Sequence, residues 1–218
     1  RAGRLRRAFV GSLGDRRAAL AEIWESDGAG DRYGALIESA LAAGRLPPSA
    51  GSIGIAPDLV AACLAAGDVT AARRWWPVAA RADAATRTKV WGLLAVGDDR
   101  LVVTPEGFAD WRSGSGADTR RARLLLAGLA GLGVANGAGW DDLRRELLPR
   151  GATSWTRAID IAAAGGRSGE VALLAATGLQ GDWRAVPPLH LYHIIAALTR
   201  VGRSDEARLL AAEALTRG

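Results

Sequence analysis

Methionine is absent from the 218 residues, lysine and cysteine occur once each as Lys89 and Cys63, and histidine, tyrosine and phenylalanine twice each. A single cysteine excludes an internal disulfide and a cysteine-based zinc site. So few Tyr and Phe argue against a β-sandwich or barrel, whose pleated faces are filled by β-branched and aromatic side chains. No apolar run reaches the roughly 18 uncharged residues of a membrane-spanning helix. A chain that begins at Arg1 and holds no Met reads as a fragment or a processed protein. The cytoplasm and, after removal of a signal peptide, the periplasm both fit that reading. If residues are missing from the chain, some of the spacings below are short.

What fills the chain is Ala, Leu, Gly and Arg, a helix-forming alphabet punctuated by glycine. There are 28 basic residues against 23 acidic ones, for a net charge of +5. Arginine supplies all but one of the cations, which fits a GC-rich, bacterial coding bias. A nucleic-acid binder needs its arginines gathered on one face. Clusters occur at Arg4, Arg6 and Arg7, at Arg16 and Arg17, at Arg120, Arg121 and Arg123, and at Arg144 and Arg145. Acids such as Asp118, Asp141, Asp142 and Glu146 stand beside most of them. Solvated helix faces are the plainer reading, with a polyanion surface as its rival.

One pattern recurs along the chain: an apolar helix, a glycine, one or two polar residues, then an alanine-rich helix. In the clearest copy Leu191, Ile194, Ile195, Leu198 and Val201 fall at helical spacing, Gly202 stops the helix and Ser204 is expected to cap the next. That second helix buries Ala207, Leu210, Ala211, Ala214 and Leu215. The same grammar reads at Gly67, with Asp68 as the expected cap of a helix through Trp75 and Trp76 that Pro77 kinks or ends. It reads again at Gly166, with Ser168 as cap, and more weakly at Gly44, Gly97 and Gly133. No copy can bury its apolar face alone, so neighbours must stack. The loops are Pro47 to Ser52 and Ser113 to Gly116, and Leu101 to Thr104 reads as a connector. Trp140 is followed by a helix to Leu148 that Pro149 stops. The whole, 1–218, is expected to be one helical domain, with irregular helices in 1–30, degenerate pairs in 31–150 and the clearest pairs in 151–218.

These residues resemble the tetratricopeptide (TPR) repeats. With Gly202 at that family's turn glycine, Leu191, Ile194 and Leu198 take its large positions on the first helix, and Ala207, Ala211 and Ala214 those of the second. With Gly166 there, Trp155 lands on the family's tryptophan, and Val171 and Ala175 fall on the second helix. With Gly67 there, Ala72 and Trp76 take the small and aromatic positions of the second helix. The family's small residue of the first helix is Val60, Ile159 or Ile195 here. The resemblance covers about half the chain. It implies an all-α fold, an α-α superhelix of stacked antiparallel helix pairs, with HEAT-like arrays as the neighbouring reading. It also implies a concave groove lined by first helices. Residue by residue, that groove takes Tyr192, Thr199 and Arg200 from the Gly202 copy and Thr153, Thr156 and Asp160 from the Gly166 copy. The Gly97 and Gly133 copies add Arg87, Trp91, Arg120 and Arg123. Arginines, a carboxylate and aromatics suit an extended peptide or an acidic segment.

Other chemistry is thin. His190 and His193 lie three apart on one helix, half a metal site at most, and no H-E-x-x-H or cysteine cluster completes it. Neither a metal nor a cofactor is expected. Cys63, within Leu59 to Leu64, reads as a small buried hydrophobe. Asp160 stands among apolar neighbours from Ala158 to Ala162, on the polar face of a helix or in a groove. Most of the eight tryptophans read as packing, while Trp75 and Trp76 cannot both face one core.

The expectation is therefore a non-enzymatic scaffold that holds a peptide or protein segment in its groove. The alternative is a helical-repeat domain that binds nucleic acid or another polyanion. An enzyme is a third reading and needs a second titratable group facing Asp160. A structural or oligomer-forming role is a fourth.

Overall fold

The computed structural model describes residues 2–26, 28–114, 119–148 and 151–218, with the side chains of 26 and 28–31 left aside. Ser115, Gly116, Asp118 and Pro149, named above, lie outside the described residues. Every regular element among those described is helical, and no strand occurs. The α-helices are α1 (Ala2–Val10), α2 (Leu13–Ser26), α3 (Gly28–Gly44), α4 (Ala56–Ala65), α5 (Val69–Arg73), α6 (Trp76–Ala79) and α7 (Ala84–Gly97). They continue with α8 (Pro105–Gly114), α9 (Thr119–Gly131), α10 (Trp140–Leu147), α11 (Ser154–Ala164), α12 (Ser168–Gly178), α13 (Pro188–Arg200) and α14 (Ser204–Arg217). Short 3-10 turns occupy Ala50–Ile55 and Trp183–Ala185. The chain divides into two compact units, Arg1–Leu94 and Ala95–Gly218.

In the first unit α1, α2 and α3 pack on one another, and α3 packs on α4. Seven of the ten residues of α4 are buried, Ala56 and Leu59 through Leu64, while Pro57, Asp58 and Ala65 stay partly exposed. The buried indole N–H of Trp24 donates to Ser39 Oγ at 2.8 Å, and that hydroxyl donates to the carbonyl of Ala35 at 2.7 Å. No polar atom of that pair is left without a partner.

The second unit is built on α9, which is buried from Leu124 through Gly131 and carries α13 and α14. A Cβ placed on Gly131 would stand 2.7 Å from Ile195 Cβ and 2.9 Å from the Tyr192 carbonyl. One placed on Gly128 would stand 3.2 Å from Ala211 Cβ and from Val96 Cγ1. Two glycines one turn apart thus set how near α13 and α14 come to α9. Phe108 packs against Trp111 and Trp140 at centroid distances of 5.9 and 5.8 Å, and Arg112 pairs with Glu146 at 2.7 Å, joining α8 to α10.

The glycine turns are alike in detail. Gly67, Gly133, Gly166 and Gly202 all have φ between 67° and 80°, the left-handed region. In each, the N–H of the following residue reaches back to the fifth carbonyl before it: Asp68 to Cys63, Val134 to Leu129, Arg167 to Ala162 and Arg203 to Leu198, at 2.8 to 3.0 Å. The glycine N–H bonds the carbonyl three before it, which completes a Schellman cap. At Gly166 and Gly202 this cap turns the chain into antiparallel hairpins, α11–α12 and α13–α14, and α13 packs on both α11 and α12. Gly133 is followed instead by an irregular segment up to Trp140. Gly44 and Gly97 end α3 and α7 as helical residues, and loops follow them, so the hairpin expected at those two positions is not formed.

Two local expectations are corrected. Asp68 does cap α5, accepting from Ala71 N–H at 2.9 Å, but Ser168 and Ser204 are first helical residues, and the caps are Arg167 and Arg203. The Schellman bond already fixes those arginines, and their carbonyls accept from Val171 and Ala207, so the helix starts one residue earlier. Their side chains pair with Glu170 and Glu206 in the first turn. The helix after Gly67 does not run through Trp76. It stops at Arg73, and Pro77 sits in the first turn of α6, where a missing N–H costs no bond. Trp75 is fully buried and Trp76 half-buried, which separates the adjacent pair as one core requires.

Candidate functional site

The expected groove residues separate into groups. Thr153 and Thr156 form the capping box of α11: Thr153 Oγ1 accepts from Thr156 N–H at 3.1 Å, and Thr156 Oγ1 accepts from Thr153 N–H at 2.9 Å. Thr156 is completely buried and presents no surface to a ligand. Arg120 donates from Nη2 to the carbonyls of Trp183 and Val186 at 3.0 and 3.1 Å, and so clasps the 3-10 turn before α13. Thr199 donates to the Ile195 carbonyl within its own helix at 2.8 Å. Arg123 and Arg200 are exposed on α9 and α13. Arg87, exposed, and Trp91, half-buried, belong to α7 within the first unit, so they are not among the second unit's residues.

Asp160 and Tyr192 are brought together with residues that the groove expectation did not contain. Asp160 on α11 is half exposed, and its Oδ1 lies 2.9 Å from Nδ1 of His193 on α13, whose side chain is 14% exposed. Since a carboxylate can only accept, Nδ1 carries the proton that bonds it. Tyr192 meets the edge of His193 at 5.1 Å, and the Arg144 guanidinium of α10 lies over the Tyr192 ring at 6.0 Å. One turn back along α13, His190 stacks on Trp155 at 4.6 Å. Trp155 in turn donates from Nε1 to the Leu174 carbonyl at 3.2 Å and lies against Gly178, where any Cβ would run into its ring. A strip of aromatic and charged groups therefore runs from α11 across α13 to α10. Burial, and next the nearness of His193, hold His190 below the ordinary histidine value.

The signal for the Asp160–His193 contact lay in the repeat offset. The two hairpin glycines are 36 apart, so His193 corresponds to Arg157 of the preceding first helix, one turn from Asp160. Stacked first helices set such residues side by side. Chemically, a carboxylate on Nδ1 orients an imidazole as it does in acid–base dyads. Among the described residues His193 bonds Asp160 and meets the Tyr192 ring, and no hydroxyl or thiol bonds it. Cys63 is buried, and burial pushes its thiol up to about 12. No group of three metal-ligating side chains occurs among the described residues.

The arginines have a use that their number alone does not disclose. Arg16 donates to the Ala8 carbonyl at 3.1 Å, Arg74 to Gly44 at 2.6 Å, Arg121 to Leu215 at 3.2 Å and Arg208 to Val96 at 3.0 Å. Each acceptor lies in the last turn of a helix, where carbonyls have no intrahelical partner. Among the described residues no helix is long and apolar enough to cross a membrane. Compared with the models of known protein families, with curated proteins and with solved structures, the chain matches none.

Proposed function

We propose that this protein is a non-enzymatic scaffold, a TPR-like stack of helix pairs whose first helices line a concave groove that holds a peptide or protein segment. The observation that carries this reading is the contact between Asp160 and His193, which joins the first helices of two successive hairpins. Beside that contact lie the half-buried rings of Trp155, His190 and Tyr192. Aromatic rings with polar edges next to a half-exposed carboxylate suit an extended segment that alternates apolar and polar side chains. The two hairpins with one turn geometry, 36 residues apart, support the stacked arrangement.

The polyanion reading draws less support, because Arg74, Arg121 and Arg208 are each turned onto a helix-end carbonyl. The test is a pull-down from a bacterial lysate with the purified chain at low and at high salt, beside a Tyr192→Ala, Arg200→Ala double variant. A protein retained at high salt and lost in the variant supports the groove. Salt-sensitive recovery of nucleic acid, or identical recovery by the variant, rejects it.

A further inference from the structure

We infer that the corner between α1 and α2 docks on an anionic lipid surface. The two helices meet at Gly11 and Ser12. The side chains flanking that turn, Val10 at the end of α1 and Leu13 at the start of α2, are 73% and 55% exposed. Arginines stand one helical turn behind each of them. Arg6 and Arg7 precede Val10 by four and three residues, and Arg16 and Arg17 follow Leu13 by three and four. At that spacing each apolar tip shares a helix face with two guanidinium groups.

Two of these cations are held in place without being cancelled. Arg16 bonds the Ala8 carbonyl and Arg17 the Gly51 carbonyl, neutral acceptors that leave the positive charge intact. Arg6 is exposed, and Arg7 pairs with Glu22 at 2.7 Å. Residues 2–22 contain five arginines against two carboxylates. The second carboxylate, Asp15, accepts from the N–H and the hydroxyl of Ser12 at 3.2 and 2.6 Å, and so fixes the shape of the turn.

Apolar residues at a rigid tip, rimmed by fixed cations, match a bilayer with negatively charged headgroups: Val10 and Leu13 enter the acyl boundary while the arginines meet the headgroups. A nucleic acid would use the same arginines and leave the two apolar side chains in water. That difference favours lipid and decides the test. The inference makes no use of the α11–α13 strip, so it stands or falls apart from the peptide-binding reading.

The experiment is flotation of the full chain with vesicles of phosphatidylglycerol and phosphatidylcholine, against vesicles of phosphatidylcholine alone. The wild type is expected to float with the anionic vesicles only. Arg6→Gln should weaken that binding roughly fivefold, and a Val10→Ser, Leu13→Ser double variant roughly tenfold or more. All three positions are exposed, and an unchanged melting temperature shows that the variants fold. Equal flotation with neutral vesicles, no flotation with anionic ones, or full binding by the double variant overturns the inference. Tighter binding to a duplex oligonucleotide that the double variant leaves unaltered overturns it as well.

Discussion

Gly131 of α9 faces Ile195 of α13 so closely that a single added carbon would stand 2.7 Å from the isoleucine Cβ. Backbone, not a flexible side-chain end, lies on the other side, since the Tyr192 carbonyl is 2.9 Å from the same point. Gly131→Ala is therefore expected to push two central helices apart and to cost about 1–3 kcal/mol. Gly169→Ala on α12, where a Cβ meets nothing within 4 Å, is the control and should be neutral or stabilising by up to about 1 kcal/mol. Urea melts of the two variants settle the contrast, and equal stabilities would reject the close-approach argument.

A second prediction concerns the turn glycines. Gly202 has φ +80°, and nothing stands near its missing Cβ, so the only obstacle there is backbone conformation. Gly202→Val should destabilise by more than about 1 kcal/mol, and Gly202→Asn by less, because Asn visits the left-handed region more readily. If the melting temperature of the Val variant matches that of wild type, the left-handed cap is not what holds the α13–α14 hairpin.

Cys63 offers a direct reading of opening in the first unit. Its thiol is buried and pushed up to about 12, mainly by loss of solvent and further by the charge of Asp68. Iodoacetamide should leave the folded protein unmodified at pH 8 and modify it at the rate at which this core opens, rising with urea. Rapid labelling of the native chain would contradict the burial of α4.

The pH dependence follows from His190. Its folded value lies below 6.5, chiefly because burial disfavours the charged ring and next because His193 is near. Between that folded value and the ordinary 6.5 the unfolded chain binds the proton more readily than the folded one, so stability rises with pH through this window and falls as the solution is acidified. His190→Gln should flatten that slope in the range just below pH 6.5. Urea midpoints measured across the range would show it, and an unaltered slope would place the sensitivity elsewhere.

Much of the helical layout was legible because it rests on local chemistry. Gly67, Gly133, Gly166 and Gly202 mark helix ends in sequence and adopt the left-handed cap in space. Gly44 and Gly97 look the same in sequence, yet loops follow them, since a glycine after an apolar run does not by itself provide the second helix. The caps at Arg167 and Arg203 were displaced by one residue because the Schellman bond, a geometric rather than a compositional feature, fixes where the next helix begins. On α9 every residue from Leu124 through Gly131 is buried, and a stretch enclosed in this way has no periodicity to read in the sequence. The site was least legible. Asp160 and Tyr192 could be named from their helix positions, but their meeting with His193 and Arg144 depends on how α10, α11 and α13 lie together.

The carbonyl-bound arginines make the chain's preference for arginine over lysine a matter of architecture. If every arginine became lysine, net charge and solubility would be preserved, but the ends of α1, α3, α7 and α14 would lose the long planar donors that reach them from neighbouring helices. Such an isoelectric copy is expected to keep its helix content while its helices pack loosely, with a broadened melting transition. In this chain the abundance of arginine is part of the fastening between helices.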